Sequence, residues 1–329
     1  MHRKRSVVMG GAGFLGSHLC ERLLGMGHDV VALDNFQSGS RANVERLLEH
    51  RWFSLVEHDV TTPFHMPCDA VYNLACPSTA AQYRAAPTKT TLTSVLGTLH
   101  ALELAQAYDA RLFLASSCDA HGANEADGVA LRACHEEGTR CAESLAMDFH
   151  RTNRVIVRIG RIFDTYGPNM TTGTAPDIST IIAKALRDDE ITLGGGGAGQ
   201  RSLCYVDDLV DGILLAANST TLSGPVDLGG AEYATEREVA EVVVELTDSQ
   251  SRIRSAHATS EEAPPAHPDL TTAKTTLGFY PRIGLREGLE RTIEHVRKLQ
   301  ASGVALPGDE RKRAARTDPA RRGAPLRAV

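Results

Sequence analysis

A short apolar run, Ser6–Met9, leads into Gly10-Gly11-Ala12-Gly13. Leu15, Leu19, Leu23 and Leu24 then recur at helical spacing until Gly25 and Gly27 end the pattern. Strand, glycine turn and helix in that order constrain the fold more than any other feature of the chain. The spacing Gly11-x-Gly13-x-x-Gly16 places glycine where a tight turn must let the backbone approach a pyrophosphate. The helix amino end that follows offers unpaired N–H groups to the anion. Gly10 adds an overlapping GxxGxxG form. Val30–Leu33 is a continuous apolar run, as in a strand buried on both faces of a parallel sheet. Asp34 closes it, eighteen residues beyond Gly16. A carboxylate there accepts from a ribose 2′-hydroxyl and repels a 2′-phosphate, favouring NAD over NADP.

Further strands are expected at Ser54–Glu57, Ala70–Leu74, Arg111–Ala115 and Val155–Arg158. Helices are expected around Thr93–Tyr108, Cys134–Thr152 and Ile178–Arg187. Alternation of this kind predicts an α/β chain with a Rossmann-type, doubly wound parallel sheet and a smaller C-terminal substrate lobe. We expect residues 1–165 to form the main part of the dinucleotide-binding domain. Residues 166–300 would form the substrate lobe, with segments returning to the first domain, and 301–329 a basic, disordered tail. Gly308–Val329 carries seven Arg and Lys against three Asp and Glu, without apolar periodicity.

Composition narrows the function classes. A net charge of −6 argues against a general nucleic-acid-binding cation. No run of eighteen apolar residues suggests a membrane span, and the start lacks the apolar stretch of a secretory signal. The seven cysteines are scattered without a CxxC, which predicts no metal site and no disulfide framework, and fits the cytoplasm.

Seven segments occur in family order: GGAGFLGSHLCERLL from Gly10, LDNFQSG from Leu33, HDVT from His58, YNLACP from Tyr72, VLGTL from Val95, RIFDTYGP from Arg161 and RSLCYVDDLVDGI from Arg201. Together they resemble the extended short-chain dehydrogenase/reductase (NAD-dependent epimerase/dehydratase) family, and within it the UDP-glucuronate decarboxylases. The resemblance spans roughly residues 5–300. It implies bound NAD, a sugar nucleotide or sugar-bearing small molecule as partner, and a homodimer built on the helices around Thr93–Tyr108 and His135–Thr152. The implied cofactor contacts are Gly10, Gly13, Phe14, Leu15, Gly16, Asp34, Asn35, Ser38, Gly39, Asp59, Val60, Leu74 and Ala75, with Ser116 beneath the nicotinamide. The implied substrate positions are Pro77, Tyr83, Asp164, Thr180, Arg201 and Tyr205. Arg201 suits a diphosphate, because guanidinium grips phosphate oxygens in a fork. Its alternative is an ion pair with Asp207 or Asp208.

In the family reaction a tyrosinate removes the sugar O4 proton while NAD takes the C4 hydride. The keto acid then loses CO2 and the hydride returns. The base belongs to a Tyr-x-x-x-Lys helix, whose Lys lowers the Tyr pKa. Here His135 stands at the Tyr position and Thr139 at the Lys position, anchored by Glu137-Gly138, Arg140 and Ala142-Glu143. Ser117, Cys118 and Asp119 replace a Thr-Ser-Glu triplet, and His121 replaces a tyrosine. The loop from Gly122 to Cys134 is about ten residues shorter than in the family. Asp164 and Ser94 each stand where the family has Asn, Asn169 and Pro176 where it has Arg, and Gly194–Gly197 where it has a Tyr-Gly-Asp stretch. Imidazole is a competent base near neutral pH; Thr139 supplies no positive charge. The expected catalytic set is Ser117, Cys118, Asp119, His135 and Thr139. His135 can also be read as a plain helix histidine, and Cys118 more readily as an unactivated thiol. The leading expectation is a sugar-nucleotide enzyme with altered chemistry in specialised (antibiotic-type) metabolism. The alternative is a catalytically silent NAD-binding partner or sensor.

Overall fold

The computed structural model describes residues 3–77, 79–121, 133–170, 178–256 and 267–303. Its strands are β1 (Arg5–Met9), β2 (Asp29–Asp34), β3 (Phe53–Glu57), β4 (Ala70–Asn73), β5 (Arg111–Ser117), β6 (Val157–Ile162), β7 (Thr165–Tyr166), β8 (Ile191–Leu193), β9 (Gln200–Ser202), β10 (Cys204–Tyr205), β11 (Val226–Leu228), β12 (Tyr233–Thr235) and β13 (Ile253–Ser255). Its helices are α1 (Phe14–Gly25), α2 (Ala80–Ala85), α3 (Pro87–Ala107), α4 (Ala133–Asn153), α5 (Ile178–Ala185), α6 (Val206–Asn218), α7 (Glu236–Thr247), α8 (Thr271–Leu277) and α9 (Leu285–Ala301).

Seven strands pair in parallel in the order β3-β2-β1-β4-β5-β6-β11, a doubly wound Rossmann-type sheet. Alternation along each strand sends side chains to two cores. Val7, Met9, Val31 and Leu33 join Leu102 of α3 and Ala142 of α4. Val8, Val30, Ala32 and Phe113 face Leu19 and Leu23 of α1 and Val206 and Leu209 of α6. The chain leaves β1 and β4 toward opposite faces, so a crevice opens at their carboxyl ends.

Two expected boundaries shift by four residues or more. The sixth strand begins at Val157 and runs to Ile162, beyond the expected Arg158, because both arginines find partners: Arg158 donates to the Ser219 carbonyl and Arg161 to Glu143. α3 begins at Pro87, six residues earlier than the apolar pattern suggests; proline's fixed φ suits the first helical position. The glycines at 194–197 form a single short turn, with Gly195, Gly196 and Gly197 at positive φ.

On α4 the buried residues are His135, Gly138, Thr139, Ala142, Glu143 and Ala146, one continuous face. Gly138 lies at its crossing with α3: a side-chain carbon there would sit 3.2 Å from Ser94 Cβ and 3.3 Å from Thr91 Cα. That close approach draws Ser94 toward the head of α4. Of the tail expected at 301–329, Ala301 instead closes α9; residues 304–329, Pro176 and most of the shortened loop (122–132) lie outside the described residues. Among the described residues no helix is long and apolar enough to cross a membrane.

Candidate active site

The glycine turn is fixed by backbone hydrogen bonds. The N–H groups of Gly10 and Gly11 both donate to the Leu33 carbonyl, at 2.8 and 3.1 Å. Gly10 has φ +78° and lies 3.0 Å from the Ala75 backbone, measured from where a Cβ would stand. A Cβ on Gly16 would come within 2.0 Å of the Gly10 carbonyl oxygen. Gly13 caps α1 without a side-chain hydrogen bond, so no side chain of the cap competes with an anion for the helix amino end. Phe14 and Leu15 are half-buried on its first turn.

Asp34 ends β2 almost completely buried. Its carboxylate accepts from Ala12 N at 2.9 Å and Phe36 N at 2.8 Å. Burial raises its pKa, while backbone N–H groups of Phe36, Ala12 and Gly13 pull the other way. A Cβ on Gly39 would stand 2.7 Å from both carboxylate oxygens, so Gly39 is what lets the loop close over them. Ser38 and Asn35 are exposed on that loop, and Asn35 Nδ2 donates to Asp59 at 3.3 Å. Asp59 also accepts from Lys89 Nζ at 2.6 Å and Thr61 Oγ1 at 2.7 Å. Partial burial acts to raise the Asp59 pKa, but these donors win and hold it well below the usual carboxylate range. Val60 is buried beneath Gly97 of α3. Leu74 N donates to the Met9 carbonyl at 3.0 Å, keeping Leu74 and Ala75 at the mouth of β4.

Beyond the switch point the crevice is lined by side chains. Ser116 pairs in register with Arg161 of β6. Its Oγ donates to Glu143 Oε1 at 2.5 Å, and Arg161 grips the same carboxylate through Nε at 2.9 Å and Nη2 at 2.7 Å. This buried relay ties β5, β6 and the middle of α4 together. Ser117 is half-buried, with Oγ 3.9 Å from Cys118 Sγ. Asp119 lies on the same turn, and its side chain is outside what the structure describes.

His135 sits on the first turn of α4, 6% exposed. Its ring stacks on Tyr83 with centroids 4.9 Å apart and planes 16° from parallel. Its Nδ1 lies 3.4 Å from Cys76 Sγ, which is itself 3.5 Å from Ser94 Oγ. Thr139 is buried one turn further along, and Pro77 is buried beside Cys76.

Arg201 pairs with neither aspartate proposed from the sequence. Its Nη1 lies 3.4 Å from Asp164 Oδ2, both side chains being about three-quarters buried. Parallel pairing of β10 with β7 sets Cys204 against Thr165 and brings the two segments together. Asp207 instead meets Arg291, and Asp208 accepts from the N–H groups of Arg282 and Ile283. Thr180 is half-buried on α5. Tyr205 is buried edge-on against Tyr166 with the Arg291 guanidinium over its ring, and burial pushes its phenol up to about 12. Its ring therefore has a packing role. Lys89, Cys76, Glu143 and Arg161 are site residues that sequence reading missed. Cys76 stands within YNLACP and Arg161 opens RIFDTYGP, while Glu143 lies eight positions after His135 on the same helical face; Lys89 left no such signal.

The model of the NAD dependent epimerase/dehydratase family matches residues 6–227. The chain belongs to this family. It is 40% identical over 306 residues to UDP-glucuronic acid decarboxylase 1 of Arabidopsis thaliana, covering 90% of this chain and 70% of that protein. It is 38% identical over 307 residues to UDP-glucuronic acid decarboxylase 3 of the same plant, covering 89% of each. Its fold is similar to the UDP-glucose 4-epimerase of Thermotoga maritima solved with UDP-glucose (TM-score 0.78, 24% identity, 90% and 99% of the two chains). It is equally similar to the UDP-glucuronic acid 4-epimerase of Bacillus cereus solved with UDP-glucuronic acid and NAD (TM-score 0.78, 22% identity, 90% and 99%). NAD is the cofactor of this epimerase/dehydratase chain. The cap without a side-chain bond, the turn that admits no Cβ at Gly10 or Gly16, and the buried Asp34 carboxylate suit such a dinucleotide.

Proposed function

We propose that this chain is a sugar-nucleotide-modifying enzyme related to the UDP-glucuronic acid decarboxylases, in which an imidazole stands in for the usual phenol. The observation that carries this reading is the placement of His135. It is buried at the head of α4, stacked on Tyr83, on the helix that the Ser116–Glu143–Arg161 relay fastens to the carboxyl ends of β5 and β6. Bound NAD supplies a reversible hydride acceptor beside the sugar.

The glycine turn and α1 would hold the pyrophosphate, and Asp34 a ribose. Asn35, Ser38, Gly39, Asp59, Val60, Leu74 and Ala75 would frame the adenine side. Ser116 Oγ spends its proton on Glu143, so it would offer only lone pairs to a neighbour. His135 would take the proton of a sugar hydroxyl, and Ser117 and Asp119 would orient it. Pro77, Tyr83 and Thr180 would wall the sugar site. Arg201 would meet the diphosphate only in competition with Asp164. Thr139 leaves the lysine's charge unreplaced, and loss of a positioned base typically costs about 10²–10⁴ in rate. Slow or redirected turnover follows, which suits a copy serving specialised metabolism. Leu96 and Leu99 of α3, half-buried, and Leu92, 42% exposed, suit pairing with a second protomer.

The test is purified protein with NAD and UDP-glucuronate, followed by 340 nm absorbance and mass spectrometry of the nucleotide. A UDP-pentose or UDP-keto sugar is the expected product. Tight NAD binding with no binding of any UDP-sugar ends this reading in favour of a silent NAD-binding member.

A further inference from the structure

Two positions where this chain departs from its family meet at one sulfur. His135 replaces a tyrosine and Ser94 an asparagine, and Cys76 Sγ lies 3.4 Å from His135 Nδ1 and 3.5 Å from Ser94 Oγ. A neutral phenol, without a lysine to lower its pKa, cannot take a proton from a thiol near neutral pH; an imidazole can. The Ser94 hydroxyl, which donates to the Thr90 carbonyl at 3.3 Å, can turn to donate to a thiolate instead. The Tyr83 ring fixes the plane of the imidazole, and burial of His135 keeps water from competing for Nδ1. Cys76 itself is half-buried at the end of the loop leaving β4, beside Ala75, which lines the glycine turn. A thiol with a base and a second hydrogen-bond donor, on the wall of a substrate crevice, is the arrangement of an activated nucleophile.

We propose that Cys76 and His135 form a nucleophile–base pair, through which this chain makes a reversible carbon–sulfur bond to a carbonyl-bearing substrate. The Sγ proton passes to Nδ1 and the sulfur lone pair attacks the carbonyl carbon. The π pair of C=O moves to oxygen, which takes the proton back from the imidazolium. S–H and the C=O π bond break, C–S and O–H form, and nothing is oxidised or reduced. The same imidazolium carries positive charge near the place the Thr139 substitution left without it. The carbonyl part rests on the proposed function, since removing hydride from a sugar carbinol leaves a carbonyl carbon in this crevice. The activated thiol does not rest on it.

The experiment is alkylation of the NAD-loaded protein by iodoacetamide from pH 5.5 to 9, with each cysteine followed by peptide mass spectrometry. At pH 6.5 Cys76 is expected to react about tenfold faster than the exposed Cys141, after allowing for the weaker nucleophilicity of a low-pKa thiolate. His135→Phe keeps the stack on Tyr83 and removes the nitrogen. It is expected to abolish that advantage and move the midpoint of the Cys76 profile to the ordinary thiol value of about 8.5. Ser94→Ala should give a smaller shift in the same direction. Thermal melts of each variant separate lost reactivity from lost folding. A Cys76 that reacts no faster than Cys141, or a profile unmoved by His135→Phe, overturns the pair. Carbonyl chemistry is read separately with 13C-labelled acetaldehyde. A thiohemiacetal carbon signal present in the wild type and lost in Cys76→Ala supports it, and its absence beside a fast-alkylating Cys76 overturns that part. No sugar nucleotide enters either measurement, so failure of UDP-glucuronate turnover and failure of the pair are distinguishable.

Discussion

The strands on either side of the switch point present different chemistry to the same crevice. Around β1 and β2 the groups facing it are mainly backbone: the turn at Gly10–Gly16, the amino end of α1 and the N–H groups that hold Asp34. Around β5, β6 and α4 they are side chains: Ser116, Ser117, Cys76, His135 and Arg201. Backbone recognition tolerates little change, because a carbon added at Gly10 or Gly16 presses on main-chain atoms. Side-chain recognition can be rewritten one residue at a time without disturbing the scaffold. The departures at Ser117, Cys118, His135, Thr139 and Asp164 fall in the second region, while Asn169 reaches across to Ser17 of α1.

The sharpest way to break that contrast is to write the family residues back. His135→Tyr with Thr139→Lys is expected to raise turnover of UDP-glucuronate by about 10²–10⁴, the worth of a positioned base. No gain in a product assay would mean that the surrounding pocket has been reshaped as well. In the backbone region the opposite holds. Gly16→Val is expected to lower stability by about 3 kcal/mol and to abolish NAD binding, since even a Cβ falls 2.0 Å from the Gly10 carbonyl. Chemical denaturation and calorimetry read both effects, and a variant that still binds NAD normally would end the claim of rigidity.

Between these, Asp164→Asn frees Arg201 and removes a carboxylate beside the proposed diphosphate. UDP-sugar affinity should rise about tenfold, or about 1.4 kcal/mol. Unchanged affinity would place the diphosphate elsewhere. The smallest effect is the response of NAD to pH. Because burial lifts the Asp34 pKa, the fold favours the protonated carboxyl, and the cost of the buried charge is felt above that pKa and relieved below it. NAD binding has the opposite sign, since ribose hydroxyls donate to the ionised form. Affinity should fall a few-fold as pH drops, starting above the usual carboxylate value of about 4, and Asp34→Asn should flatten the curve.

Legibility in the sequence follows the same division. The glycine spacing, the apolar runs of β1 and β2 and the helical spacing of α1 are local patterns, and the structure places those elements within a residue or two of expectation. Contacts between distant segments left no such trace. Cys76 and His135 are 59 positions apart and Arg201 and Asp164 are 37 apart; only the folded sheet and the crossing at Gly138 bring them together. Cys118 enters the expected catalytic set from its place in the Ser117-Cys118-Asp119 triplet and reads more readily as an unactivated thiol, whereas the thiol with a base in reach lies just beyond β4. β11 is three residues long, Val226-Asp227-Leu228, too short for a strand pattern to register.

That short strand has a consequence for how the protein is made. β6 ends at Ile162 and its outer neighbour begins at Val226. A nascent chain leaving the ribosome therefore carries six aligned strands with a bare hydrogen-bonding margin while the intervening residues are still being synthesised. Such a margin invites a neighbouring polypeptide. A message truncated between those points is expected to yield clumped, insoluble product, even though every residue of the glycine turn has already been translated.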